Sequence, residues 1–178
     1  MMEKTLPQVT FKLRQRNVDT AEFEWVHKTT DDFFKGKRVV AFSLPGAFTP
    51  TCSNFQVPGY NALKPEFAAL GIDAIYCISC NDAFVMNAWK QDQRAENITF
   101  IPDGSCEFTA GMDMLVAKDN LGLGKRSWRY AMVVNDGVVE KMFVEPGKSD
   151  DCETDPYGET SPESVRSYLE NVKTTLVA

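Results

Sequence analysis

Arg38-Val39-Val40-Ala41-Phe42-Ser43-Leu44-Pro45-Gly46-Ala47-Phe48-Thr49-Pro50-Thr51-Cys52 leads from a strand into a helix within fifteen residues. The apolar run from Arg38 to Leu44 has the length of a buried strand. Pro45-Gly46 breaks it, and Pro50 suits a first helical turn, where a missing N–H costs nothing. Cys52 is therefore expected in the first turn of a helix at the C-terminal edge of a sheet, where α/β proteins place their sites. Beyond it Pro58-Gly59 reads as an interruption. Tyr60, Leu63, Phe67 and Leu70 then continue at helical spacing, Gly71 stops the helix, and Ile72 to Ser79 reads as a second strand.

On the N-terminal side, Val9, Phe11 and Leu13 alternate, as do Phe23, Trp25 and His27, with the polar Arg16 to Thr20 between. That is a hairpin pattern, and it makes His27 a surface or packing residue. Thr29 to Asp32 reads as a helix cap before Phe33 and Phe34. On the C-terminal side, Asn81 or Asp82 can cap a helix carrying Phe84, Val85, Ala88 and Trp89. Ile98 to Ile101 is a short strand, and Phe108 to Leu115 a short helix. Tyr130 to Val134 and Val138 to Val144 flank Asn135-Asp136-Gly137, a strong hairpin turn. Ser161-Pro162-Glu163-Ser164 opens a last helix with Val165, Tyr168, Leu169 and Val172 on one side. This order predicts an α/β, thioredoxin-like fold: a central mixed β-sheet flanked by helices, with an N-terminal β-hairpin.

The 178 residues suffice for one domain, expected to span 1–178. Apolar residues at 43% and charged residues at 25% are ordinary for a soluble globular chain, and no apolar run approaches a membrane span. The first seven residues lack the apolar core of an export signal, so a cytoplasmic location is expected. A net charge of −6 disfavours nucleic acid and anionic membranes as partners. With His27 alone, a Cys-His or Ser-His triad and a His-rich zinc site are both disfavoured.

Cys52 carries the chemistry. First-turn N–H groups and the positive end of the helix dipole stabilise an anion, and the thiolate is the nucleophilic form of cysteine. The Thr49 hydroxyl, three residues earlier, can accept from a helix N–H and approach the sulfur. The plain alternative is a buried small thiol beside an ordinary Pro-Gly turn.

Pro45, Thr49 and Cys52 match the PxxxTxxC signature of the peroxiredoxins, and the longer PGAFTPTCS string resembles their peroxiredoxin 5 branch. So do Val57-Pro58-Gly59, Ser79 with Asn81 to Val85, and Arg129 to Val134 with Asp136-Gly137. Phe100 to Gly104 and Gly124 to Tyr130 look similar to bacterial hybrid members that carry a C-terminal glutaredoxin domain. The resemblance covers nearly the whole chain. It implies a thiol peroxidase in which Cys52 attacks hydrogen peroxide or an alkyl hydroperoxide and becomes a sulfenic acid. It further implies that Thr49 orients the peroxide, Arg129 holds the thiolate, and Pro45 shields the site. The backbone N–H of Cys52 and of Ala47 or Gly46 would complete the substrate-binding donors. Neither metal nor organic cofactor is implied. Glutathione or a glutaredoxin is the implied reductant, with thioredoxin as alternative, and a homodimer is the implied assembly. Arg126 is the rival for the arginine role, but its glycine-rich surroundings suggest a solvated charge. Gln56 stands where many members have His, which removes a group that titrates near neutrality.

The remaining cysteines read differently. Cys77 and Cys80 form a CxxC string inside a strand, where positions i and i+3 face opposite ways; packed thiols are expected. Cys106 is expected near the surface and incidental. Cys152 lies close to the place of the resolving cysteine in atypical two-Cys members. Its acidic neighbours Asp150, Asp151 and Glu153 are expected to push its pKa up, and its role stays open between resolving and idle. Two other function classes compete: a peroxide sensor acting through partners, and a disulfide oxidoreductase using Cys77 and Cys80.

Overall fold

The computed structural model describes residues 3–177. Met1, Met2 and Ala178 lie outside the described residues, and with them the start of the segment read for an export signal. Strands β1 (Thr10–Arg16) and β2 (Phe23–Thr29) form the expected antiparallel hairpin. Its register pairs Leu13 with Val26 and Arg14 with Trp25, so the apolar residues of the two strands fall on opposite faces. Phe11 and Leu13 enter the core, whereas Phe23 and Trp25 are each 53% exposed. The outward Trp25 meets Phe84 edge-on and lies under the Arg14 guanidinium. His27 is exposed on that outer face. Thr29 caps helix α1 (Thr30–Phe34): its hydroxyl accepts from Asp32 N, and the Asp32 carboxylate accepts from Thr29 N.

Five strands make the central sheet: β3 (Arg38–Ser43), β4 (Ala74–Ser79), β5 (Thr99–Pro102), β8 (Tyr130–Asn135) and β9 (Val138–Val144). Their order is β5-β4-β3-β8-β9. The first three are parallel, and β8 and β9 are antiparallel additions, so the sheet is mixed as expected. Alternation divides the core into two layers. Val40, Phe42, Ile75, Cys77, Ala131 and Val133 face one side; Val39, Ala41, Tyr76, Ile78, Met132 and Val134 face the other. Asp136 and Gly137 take positive φ in the β8–β9 turn, the conformation its sequence calls for.

The segment after Cys52 departs from the sequence reading. Pro58-Gly59 does not interrupt the helix. A π-helical turn, Cys52–Gln56, passes directly into α2 (Val57–Ala62), with Pro58 in its first turn. In this wider turn Val57 N donates to Cys52 O, five residues back. The loosened ladder accommodates a proline, which lacks an N–H and would crowd the carbonyl four residues earlier. The break comes later, at Leu63, before Pro65 in α3 (Lys64–Ala69).

Helix α4 (Ala83–Gln93) is capped by Asp82, and its buried residues are Ala83, Met86 and Trp89; Phe84 is 59% exposed. Helix α5 (Glu107–Gly111) is shorter than expected, because Leu115 belongs to a strand. That strand, β6 (Leu115–Ala117), pairs with β7 (Lys125–Ser127) across a 3-10 turn at Asp119–Leu121. Helix α6 (Pro162–Val177) closes the fold and buries Val165 and Leu169 beside α2 and β8. Among the described residues, no helix is long and apolar enough to cross a membrane.

Candidate active site

The site forms where β3 ends and the π turn begins. Cys52 is fully buried, in the same apolar cluster as Phe42, Tyr60 and Cys77. Thr49 closes the loop ahead of it. Its carbonyl accepts from Ser53 N at 3.0 Å, while its hydroxyl donates to Gly46 O at 2.7 Å. The main chain, not the hydroxyl, thus serves the helix N–H, which corrects one part of the sequence reading. On the other side of Cys52 the Trp89 indole donates to Ser53 Oγ at 3.0 Å.

Arg129 precedes β8 by one residue and is 1% exposed. Its Nη1 lies 3.5 Å from Cys52 Sγ and also donates to Gln56 Oε1. Nη2 pairs with Asp155 Oδ1 at 2.6 Å, and Nε donates to Pro156 O at 3.2 Å. The Tyr157 ring lies against the guanidinium. Burial works against the charge on Arg129, but negative charge on Cys52 and Asp155 outweighs it and holds the guanidinium above its ordinary pKa. A cation fixed this way is preorganised for a sulfur anion or for charge developing on a peroxide oxygen.

The segment that carries Asp155 to Tyr157 is itself anchored. Glu145, 3% exposed, accepts from the backbone N–H groups of Gly158, Glu159 and Thr160.

Two corrections concern the loop Pro45 to Ala47. The N–H of Ala47 is given to Asn81 Oδ1 at 2.9 Å, so it is not free to bind substrate. Arg126 is not a solvated charge. It reaches from β7 to donate to Pro45 O at 3.1 Å and to Leu123 O at 3.1 Å. A side chain on Gly46 would put its Cβ 2.0 Å from Arg126 Nη1. Arg126 braces the loop, whereas Arg129 reaches the sulfur.

A cleft of about 260 Å³ opens beside Pro45, Thr49 and Pro50, with Leu121, Cys152 and Asp155 on its far wall. The Cys152 thiol is lowered from its ordinary pKa, not raised by its acidic neighbours. Hydrogen bonding with the Thr154 hydroxyl and backbone dominates, against slight burial, with Ser149 and Lys118 adding to it. Cys77 and Cys80 behave as packed thiols relative to each other. Burial, and then charge on Cys52, pushes the Cys77 thiol far up, which disfavours a redox CxxC. Among the described residues no group of three or more metal-ligating side chains assembles.

Sequence reasoning brought Cys52, Thr49, Pro45 and Arg129 together and missed Asn81, Asp155 and Glu145. Gln56 had a signal as Arg129's partner: it stands four residues after Cys52, on the same helical face. Asp155 had none, because its pairing depends on where a long loop returns.

The Redoxin family matches residues 4–158 of the chain. A peroxiredoxin of Rhizobium etli is 58% identical over 171 residues, covering 94% of this chain and 96% of that protein. The hybrid peroxiredoxin hyPrx5 of Haemophilus influenzae is 53% identical over 95% of this chain, which spans 66% of that longer protein. Among solved structures, the Plasmodium falciparum antioxidant protein, a 1-Cys peroxiredoxin, superposes with a TM-score of 0.90 at 34% identity, over 96% of this chain and 99% of that one. These relatives span both layers of the fold and the loop around the buried cysteine, and the chain belongs to the Redoxin family, as one of its peroxiredoxins.

Proposed function

We propose that the protein is a thiol peroxidase that reduces hydrogen peroxide and small alkyl hydroperoxides through Cys52. Membership of the peroxiredoxins supports thiol-dependent peroxidase activity. The observation that carries the residue assignment is the fully buried Cys52 Sγ 3.5 Å from a guanidinium nitrogen of Arg129. The Cys52 thiolate attacks one peroxide oxygen and the O–O bond breaks. The sulfur becomes a sulfenic acid and the other oxygen leaves as an alcohol or water after taking a proton. Arg129 stabilises charge on sulfur and on the departing oxygen. Thr49 lines the cleft and orients the peroxide; its hydroxyl proton is held by Gly46 O, which leaves the hydroxyl oxygen to accept from the peroxide O–H. Pro45 shields the sulfur from water, and Gly46 lets the loop approach closely.

Reduction by glutathione or a glutaredoxin is the favoured second half of the cycle, supported by the likeness to a hybrid peroxiredoxin and to a 1-Cys peroxiredoxin. One observation favours a thioredoxin-dependent alternative: Cys152 lines the same cleft as Thr49, and its thiol is lowered. A cytoplasmic homodimer joined near the active-site face is consistent with the exposed Phe48 and Phe55 that flank the site. Cys52→Ser is expected to abolish peroxide consumption, and full turnover in that variant would refute the proposal. Mapping cysteines after one equivalent of peroxide separates the reductants. A glutathione adduct on Cys52 supports the first, and a Cys52–Cys152 link the second. One round of oxidation without turnover under any of these reductants would favour the sensor reading.

A further inference from the structure

We propose that Cys80 and Cys106 form a second, reversible redox pair, separate from Cys52 and served by a buried Thr109–Asp103 proton relay. The register of β4 with β5 pairs Ser79 with Pro102, which sets the loops that follow side by side. Asp103 N donates to Ser79 O at 2.8 Å and fastens them together. Cys80 leaves the first loop, 8% exposed. Cys106 ends the second as the N-cap of α5, half-buried and held at φ +60°. That left-handed conformation is uncommon for a residue with a Cβ, and it turns the chain sharply into α5.

Cys80 belongs to a polar cluster in an otherwise apolar layer, and Cys106 sits at its edge: its N–H donates to Asp103 O at 2.9 Å, and its thiol donates to Lys125 O at 3.9 Å. Cys80 Sγ donates to Thr109 Oγ1 at 3.3 Å. Thr109 Oγ1 in turn donates to Asp103 Oδ2 at 2.7 Å, and that carboxylate is only 4% exposed. Burial pushes the Cys80 thiol far up, Thr109 pulls it back, and the Cys106 side chain, by hydrogen bond and by charge, pushes the same way as burial. The Cys80 and Cys106 side chains are thus neighbours across the two fastened loops. Cys77, on the opposite face of β4, senses Cys52 instead.

These positions divide the work. Cys106 is the accessible thiol and meets the oxidant. With hydrogen peroxide it becomes a sulfenic acid and one water leaves. Cys80 sulfur then attacks the Cys106 sulfur and expels hydroxide. The Cys80 proton passes to Thr109, whose own hydroxyl proton passes to Asp103; Asp103 releases it to the departing hydroxide, which leaves as the second water. Two thiols and one peroxide thus give one disulfide and two waters. The link would close one residue from Asn81, whose side chain holds Ala47 N at the peroxide loop.

The test uses the full chain with Cys52→Ser, so its outcome does not depend on the peroxidase reading. The reduced protein is treated with hydrogen peroxide, and the parent protein in parallel with diamide. Both are then unfolded, alkylated and mapped by mass spectrometry. A Cys80–Cys106 peptide link in both samples, reversed by dithiothreitol, is the expected result. Thr109→Val, which removes the proton acceptor, is expected to slow closure roughly a hundredfold. Cys106 carrying sulfenic or sulfinic acid while Cys80 is still fully alkylated would overturn the pair. Closure at the parent rate in Thr109→Val would overturn the relay.

Discussion

Replacing Arg129 by Met tests the electrostatics of the site most directly. The substitution keeps a long side chain in the space and removes the charge 3.5 Å from Cys52 Sγ. At that separation and an effective dielectric near 20, the Coulomb attraction of unit charges is about 5 kcal/mol. Part of it is already offset, because burial opposes the guanidinium charge and Asp155 shares it. Net values for hydrogen bonds to charged groups, about 1.5–3 kcal/mol, set the lower end. The thiolate and the transition state together should lose about 2–4 kcal/mol, a roughly 30- to 1000-fold lower rate of peroxide attack. Rapid mixing with hydrogen peroxide measures it. The reporter is tryptophan fluorescence, since the Trp89 indole is hydrogen-bonded to the residue after Cys52. Arg129→Lys keeps the charge but not the fork that spans Cys52, Gln56 and Asp155, and should fall between Met and the parent. A folded Arg129→Met protein oxidised within about threefold of the parent rate would refute the reasoning.

Glu145→Ala removes the acceptor for three backbone N–H groups and should cost about 3 kcal/mol, read as a lower urea midpoint. An unchanged midpoint would mean that water replaces the carboxylate without loss. Gly46→Ala should displace Arg126 from Pro45 O and slow Cys52 oxidation roughly tenfold with little change in stability. Parent-like kinetics would show that the brace is dispensable. The lowered Cys152 thiol should keep its thiolate fraction as pH falls below the ordinary cysteine value, so its alkylation by iodoacetamide should persist there. A pH profile centred at or above the ordinary value would contradict the hydrogen bonding with Thr154. Cys77, buried behind Cys52, should resist the reagent in the native protein.

The strands were readable because each is a short apolar run, and two-residue alternation then sorted Val40 from Val39 and Ile75 from Tyr76 into separate layers. The Asn135 turn was readable because its positive-φ positions name their own residues. Hydrophobicity alone does not say which face a register exposes: Trp25 and Phe84 meet each other, and Arg14, on the surface. The β6–β7 ribbon is too short for periodicity to register. Pro58 misled because the usual penalty assumes a regular ladder, which the π turn relaxes. At the site, Pro45, Thr49 and Cys52 could be named in advance from the motif, whereas the Thr49 carbonyl's bond to Ser53 N and the π turn could not. Asp155 could not, since it meets Arg129 across 26 residues of chain.

Cys52 sulfur has no exposed surface, and this makes the fold a sieve. Water does not touch the sulfur, so even a peroxide, two oxygen atoms with a short tail, enters only when the surrounding side chains shift slightly. A tripeptide or a protein thiol needs a far larger movement, so under the proposed function an oxidised Cys52 would have to travel outward before such a thiol could reach it. The five-residue π turn that carries it has a wider hydrogen-bond ladder than the α-helix it leads into, and such a movement would begin there. Oxidation and repair would then take place in two different shapes of one molecule, with the unwinding rate as the clock between them. In kinetics that clock would appear as a reduction rate that stops rising with the concentration of the reducing thiol, while oxidation keeps rising with peroxide.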